Sequence, residues 1–214
     1  MLALILVAHA DDETLGVGGT ILKLLEKGWS VNIVALSDGK IAVRGKIQDN
    51  RKSFENACKF LGVKKFSLLN FKDQKFDIVP IADIANKVSK LNLKPDLIIT
   101  HNETDLNKDH RITCEVAKII GRPKSKPISI LGCEIPGTSF WNGKIFPANY
   151  FVDISNHLEK KIDAFSKYHN EIQEYPHPWS KKGLKLLAKY HGMQSGFQYA
   201  EAFHIIRAYE DRLI

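Results

Sequence analysis

The chain has 214 residues, enough for one well-buried α/β domain and short for two, and its 44% hydrophobic and 26% charged residues exclude disorder. No apolar run approaches the length that crosses a bilayer, which excludes an integral membrane segment; the three cysteines, Cys58, Cys114 and Cys133, are odd in number and outside any paired motif, as expected of a cytoplasmic protein. Lysine and arginine (31) outnumber aspartate and glutamate (24), a net charge of +7 that favours an anionic partner, but the lysines are spread along the chain with no helix-turn-helix, zinc-finger or RNA-recognition signature, so nucleic acid is not expected.

The chain opens on the apolar run 2–8, which has no helical phase and reads as one buried strand. It lacks the basic start and the small-residue cleavage pattern of a secretion signal. The strand runs directly into His9, Asp11, Asp12 and Glu13, followed by Gly16, Gly18 and Gly19. Residues 20–27 form an amphipathic helix closed by Gly28, and residues 31–36 a second buried strand. Strand, helix, strand over so short a span is a βαβ unit, with parallel pairing and a right-handed crossover. After the turn Ser37, Asp38, Gly39, residues 47–61 are helical, with Arg51 and Glu55 spaced for an i, i+4 ion pair and Gly62 as the stop. A third strand, 65–69, leads through Asp73 into a loop.

Residues 78–93 have helical spacing, with Pro80 tolerated in the first turn. Residues 97–100 are a fourth strand, and its end meets a second polar cluster that includes His101, Asp105, Asn107, Asp109, His110 and Arg111. A short helix (112–119), a basic loop (121–127), strands at 128–133 and 150–153 and helices at 156–167 and 181–190 follow, with an edge strand at 200–207. Repeated βα units with polar clusters after the strands predict a single α/β domain over residues 1–214. Its sheet should be doubly wound and mostly parallel, Rossmann-like, with helices on both faces.

Ligands of such sheets bind beyond the carboxyl ends of the strands, where both clusters lie. A helix N-terminus accounts for Glu13 and one aspartate. It leaves unexplained a histidine followed by two adjacent carboxylates, which repel each other unless a cation or a shared proton relieves them. His9 and Asp12 lie three apart on a strand-to-helix turn, and His110 can reach them from the second cluster. Two histidines and a carboxylate leave an open position on Zn²⁺ for water, and the same set suits Fe²⁺. Asp11, adjacent to a ligand but not needed to hold an ion, is the natural general base. Asn107 or His101 would donate to a developing oxyanion, and Asp109 would orient a ligating imidazole.

The run His9, Ala10, Asp11, Asp12, Glu13, continued by Gly16, Gly18, Gly19 and Thr20, is similar to the Ala-His-Pro-Asp-Asp-Glu signature of the PIG-L/LmbE-like N-deacetylases. That family includes N-acetylglucosaminyl-phosphatidylinositol de-N-acetylases and cysteinyl-sugar deacetylases. Residues 105–111 resemble its second motif; Arg51 with Glu55, Leu61 with Gly62, Asp73 and residues 200–203 extend the resemblance over nearly the whole chain. The resemblance implies His9, Asp12 and His110 as zinc ligands and Asp11 as the base. It also implies that Arg51 and Asp73 contact the sugar or its anionic appendage. Ala10 stands where proline is usual, and Asn107 where some members carry an oxyanion-stabilising histidine, which points to a subgroup with another substrate.

The expected activity is zinc-dependent removal of an N-acetyl group from an amino sugar in a phosphorylated, nucleotide- or lipid-linked conjugate, with Arg44, Arg51 and Arg111 near the negative group. The expected partner is a small-molecule sugar conjugate, and a homo-oligomer is compatible with the sequence. The alternatives are a metal-stabilised carbohydrate-binding domain, for which Asp11 has no use, and an iron oxygenase, which would sit in a β-barrel. A nucleotide-binding module would need the G-x-G-x-x-G spacing that is absent here.

Overall fold

The computed structural model describes residues 1–43, 46–123 and 126–209. Seven strands form one sheet in the order β5-β2-β1-β6-β7-β9-β8. The strands are β1 (Leu2–Val7), β2 (Ser30–Ser37), β5 (Lys65–Phe71), β6 (Leu97–His101), β7 (Ser129–Cys133), β8 (Tyr150–Asp153) and β9 (Ala200–Arg207). The first five pair in parallel; β9 runs antiparallel to both β7 and β8. This is the expected doubly wound, mostly parallel α/β sheet, not the β-barrel of the oxygenase alternative. β1 lies between β2 and β6, so the winding reverses there and a crevice opens beyond the ends of β1 and β6.

The period-2 alternation of a strand divides each one between two cores. Ala3, Ile5 and Val7 of β1 face α1 (Asp12–Glu26), α2 (Arg51–Leu61) and α5 (Leu158–Phe165), while Leu4, Leu6 and Ala8 face α3 (Ile81–Ser89) and α4 (Lys108–Ile120). Helix α6 (Lys181–Ser195) packs beside β9. A hairpin of β3 (Lys40–Val43) and β4 (Lys46–Asp49) stands apart from the sheet.

Several boundaries differ from the sequence expectation for identifiable reasons. Helix α1 starts at Asp12, not at residue 20; its three glycines lower the helix propensity of the first turns, which hides them in the sequence pattern. Those glycines serve close packing: a Cβ on Gly16 would lie 2.9 Å from Cys133 Sγ, and one on Gly19 would lie 2.6 Å from Ile154 Cγ2. Residues 47–49 belong to β4, and the helix begins at Arg51. Helix α4 starts at Lys108, capped by the Asn107 side chain, which accepts from the Asp109 N–H. β9 is not an edge strand: it lies between β7 and β8.

β9 is tied to the opening helix by a buried charge. Glu201 accepts from the N–H groups of Gly19 (2.8 Å) and Thr20 (2.7 Å), and Lys161 Nζ of α5 lies 2.6 Å from Oε1. Both charged side chains are buried, so removing one partner strands the other in a low dielectric. Glu201→Ala is expected to cost about 3–5 kcal/mol of stability. The double replacement Lys161→Met with Glu201→Leu should cost clearly less, and urea unfolding of the three proteins checks the order.

Candidate active site

β1 and β6 end side by side and deliver the two polar clusters to one crevice. The Ala8 N–H donates to His101 Nε2 (2.9 Å), and the His9 N–H donates to Asp12 Oδ2 (2.8 Å). Asp11 has φ +133°, a conformation that L-residues rarely adopt. Four hydrogen bonds fix it. Its N–H donates to Glu13 Oε2 (3.0 Å), and its carbonyl accepts from the N–H groups of Thr14 and Leu15 (3.0 Å each) and from the Thr14 hydroxyl (2.7 Å). Glu13 is fixed in turn by the Tyr168 hydroxyl, which donates to Oε1 at 2.6 Å.

His9 Nδ1, His110 Nε2 and the Asp12 carboxylate converge. The distances are 3.5 Å from His9 Nδ1 to Asp12 Oδ2, 3.4 Å from His110 Nε2 to Asp12 Oδ1 and 3.3 Å between the two ring nitrogens. Ligand atoms around a tetrahedral Zn²⁺, each about 2.0–2.1 Å from the ion, stand roughly 3.3 Å apart, so this donor set fits such an ion in number, type and spacing. Each imidazole has a carboxylate at its other nitrogen. His9 Nε2 lies 3.1 Å from both Asp109 Oδ2 and Asp73 Oδ1, and His110 Nδ1 lies 3.2 Å from Asp105 Oδ1, off the axis of a good hydrogen bond. Such partners set the tautomer and raise the basicity of a ligating histidine. His9, Asp73 and Asp109 also form a metal-compatible group. Asp109, however, already accepts from the N–H groups of Gln74 (2.8 Å) and Phe76 (3.2 Å), which marks this group as support for His9.

The electrostatics separate the two neighbouring aspartates. Burial, then the charges of Asp12, Glu171 and Glu13, push Asp11 well above the usual carboxylate range. Burial acts on Asp12 in the same direction, but His110, His101 and His9 overcome it and hold Asp12 well below that range. Neighbours driven apart in this way divide into a proton carrier and a permanent anion. For His9, burial is the largest influence and works to lower its pKa; Asp109, Asp12 and Asp73 together outweigh it and hold the imidazole well above its ordinary value. Burial raises Glu13 to about 7, against its hydrogen bonds from Tyr168 and Asp11.

These groups floor a cavity of about 530 Å³ whose lining includes His9, Asp11, Asp12, Asp73, Asn107 and His110. Of the candidate site residues in the sequence, His9, Asp11, Asp12, Asp73, Asn107 and His110 are therefore brought together. Arg51 lies outside this lining on the exposed face of α2, bound to Asp49 (Nε to Oδ1, 2.9 Å). The expected Arg51–Glu55 pair does not form. Glu55 pairs with Lys52 and Lys59 instead, because Asp49, just before the helix start, captures the guanidinium. Arg111 Nη1 is spent on the carbonyls of Asp105 and Leu106, 2.6 Å each, and Arg44 lies outside the described residues.

His101 cannot donate to an oxyanion: it is 0% exposed and stacked on His110 at 3.9 Å. Burial, then His110, lowers its pKa to about 4. The three cysteines are buried and free, and burial raises all three thiols, Cys114 to about 12, so none is a nucleophile. Sequence reasoning missed Glu171, held by Asn50 Nδ2 at 2.8 Å, and His177 with Trp179, all on the cavity wall. The aromatic, proline-flanked stretch 175–180 was the available signal, since such loops carry function when a rigid scaffold positions them.

The diacetylchitobiose deacetylase of Thermococcus kodakarensis is 26% identical to this chain over 92% of its length and 80% of the relative's. Among solved structures, the N,N'-diacetylchitobiose deacetylase from Pyrococcus horikoshii superposes with a TM-score of 0.79 at 23% identity, covering 96% of this chain and 83% of that one. The 4-carboxy-2-hydroxymuconate hydratase GalB from Pseudomonas putida KT2440 superposes with a TM-score of 0.78 at 19% identity, covering 100% and 99%. Residues 4–120, more than half of the chain and the stretch that holds every predicted site residue, match the model of the PIG-L family, GlcNAc-PI de-N-acetylase, and the chain belongs to that family.

Proposed function

We propose that the protein is a metal-dependent N-deacetylase that hydrolyses the acetamide of an N-acetylated amino sugar. The observation that carries this reading is the convergence of His9 Nδ1, His110 Nε2 and Asp12 on the cavity floor, with Asp11 beside them and held apart from them. The architecture alone does not choose the reaction, since a hydratase shares it. The similarity to a diacetylchitobiose deacetylase supports an acetylated amino sugar as the substrate.

His9, Asp12 and His110 would hold the ion, with Zn²⁺ the best match to the donor set. Bound there, it supplies Lewis acidity to the acetamide carbonyl and to a neighbouring water. Asp11 accepts the proton of the attacking water at its carboxylate and delivers it to the leaving amine nitrogen, a double duty suited to its raised pKa. The Asn107 side-chain oxygen is occupied in capping α4 and its Nδ2 group has no partner among the described residues, so it donates to the developing oxyanion. Asp73, on the wall beside His9, accepts a sugar hydroxyl. The phosphorylated or lipid-linked conjugate expected from net charge gains no support from the described lining, and Arg51 is left out of the mechanism.

Protein purified without chelators is expected to carry one divalent ion per chain by elemental analysis, to stop releasing acetate after chelation and to recover with Zn²⁺. Chelator-resistant turnover would remove the ion from the reading. Asp11→Asn should keep the ion and lose roughly 10²–10⁴-fold in kcat, whereas Asp12→Asn should lose the ion itself. Equal ion loss in the two variants would reverse the assignment.

In the ion-free protein, the raised pKa of His9 favours its protonated form, and that proton competes with a cation for Nδ1. Zinc affinity should therefore rise with pH across the range where His9 deprotonates, and binding should release protons. Calorimetric titration in buffers of different ionisation enthalpy measures both, and an affinity indifferent to pH would contradict the assignment of His9.

A further inference from the structure

We propose that the edge of the sheet opposite the active site carries a second ligand site, a groove that takes a nucleoside phosphate, with the base against Trp29 and the Asn32 amide and the phosphate among Lys64, Lys65 and Lys94. This site is independent of the reaction assigned to the catalytic cavity.

The groove lies where the strands begin. Around the start of β2, the turns that follow α1, α2 and α3 enclose a cavity of about 570 Å³, within the size range of small-molecule sites. The end of α1 and its turn supply Leu25 and Trp29, the turn after α2 leads to Lys64 and Lys65, and the turn after α3 leads to Leu93 and Lys94. Each turn reverses through a left-handed residue, Gly28 (φ +77°), Gly62 (φ +88°) or Asn92 (φ +51°).

The inside of the groove fits a flat ligand with a polar edge. Asn32 is only 7% exposed and lines the groove, yet its side-chain amide has no hydrogen-bond partner among the described residues. Buried polar groups are rarely left unpaired, so this amide is set to meet a ligand. It offers a donor and an acceptor side by side, the pattern that matches one edge of adenine. Trp29 is half-buried, packed on the core, and its indole N–H also has no partner among the described residues. Its face can take a base by stacking. Leu2, Leu25 and Leu93 make up an apolar wall. An acyl chain would suit that wall but would leave the Asn32 amide and the indole N–H dry and unpaired.

The rim carries the charge. Lys64, Lys65 and Lys94 are exposed and have no ion-pair partner among the described residues, whereas Lys52, Lys59, Lys108 and Lys185 are all paired. The acids that flank these turns in the sequence are committed elsewhere. Asp96 accepts from the Leu2 N–H (2.7 Å) and pairs with Lys126, and Glu26 pairs with His157 (3.0 Å). Lysines after a helix can serve its terminal carbonyls, but backbone N–H groups do so here. Those of Gly62 and Val63 donate to the Lys59 and Cys58 carbonyls, and those of Leu91 and Asn92 to the Val88 and Ser89 carbonyls, at 2.9–3.1 Å. Three unpaired cations beside an apolar wall favour a phosphate joined to a ring.

Calorimetric titration of the wild-type protein with adenosine monophosphate, adenosine, inorganic phosphate and decanoate tests the site. The nucleotide should bind at least about tenfold more tightly than adenosine or phosphate alone. Lys64→Ala combined with Lys94→Ala, both on the surface, should bring the nucleotide down to the affinity of adenosine and leave adenosine unchanged. Asn32→Leu should weaken the nucleotide and adenosine alike, by about tenfold. No binding of the nucleotide, binding no tighter than that of phosphate, an affinity untouched by the double lysine replacement, or tighter binding of decanoate would each overturn the proposal. Failure of the wild type to release acetate would bear only on the reading of the catalytic cavity.

Discussion

Asp11, Asp12 and Asp105 are each at most 3% exposed, and acids buried so completely favour protonation unless positive charge is threaded among them. The threading is done by imidazoles, and it decides each carboxylate separately. Asp12 faces His9, His101 and His110 and is held ionised; Asp105 is lowered by His110 and His101 against the push of burial; Asp11, surrounded mainly by acids, is raised. The arrangement requires β1 and β6 to be neighbours, because His9 follows one while His101 ends the other and His110 follows it. Sheet order and site electrostatics are thus one constraint, met at the point where the winding direction reverses.

Within that constraint, two consecutive aspartates are set in opposite environments. A regular backbone entering α1 would give them successive positions on one turn. The positive φ of Asp11 breaks the sequence, leaving Asp12 as the first residue of the helix and Asp11 on the cavity wall. A positive φ on a non-glycine residue costs of order 1–3 kcal/mol and persists only where the surroundings over-determine it. Here the over-determination is visible in the four hydrogen bonds on the Asp11 backbone and in the Glu13–Tyr168 contact behind them. Tyr168 comes from the far end of the chain, so the geometry of the opening motif depends on the closing third of the fold.

The parts of the fold and site legible in the sequence are those in which neighbours in the chain are neighbours in space. β1, β2 and β6 declare themselves as apolar runs, and His9, Asp11 and Asp12 sit together at the end of one of them. His110 was legible by a weaker argument, as a ligand type at a second strand end. Helical spacing points Arg51 to Glu55, whereas the helix starts only at Arg51 and Asp49 lies within reach just outside it. His101 has the right residue type and sequence position for an oxyanion donor; only the packing of His110 over it seals it away. Glu171, His177 and Trp179 reach the site through the fold of a stretch with no periodic pattern, which sequence periodicity cannot place.

Net charge is a poor guide to a ligand for a related reason. A surplus of seven positive charges describes the long-range field of the chain, which governs solubility and the approach of charged partners. It does not describe a cavity, where a ligand meets only the groups within a few ångströms and those are desolvated. The lysines that make up the surplus are mostly on the outside, many of them in surface ion pairs such as Lys52 and Lys59 with Glu55 or Lys108 with Asp77. Meanwhile the acids needed to orient the histidines concentrate around the crevice. A site that holds a cation through neutral imidazoles gathers carboxylates behind them, so its walls turn acidic even in a basic protein. What a ligand meets there follows from that local requirement and not from the sign of the whole chain.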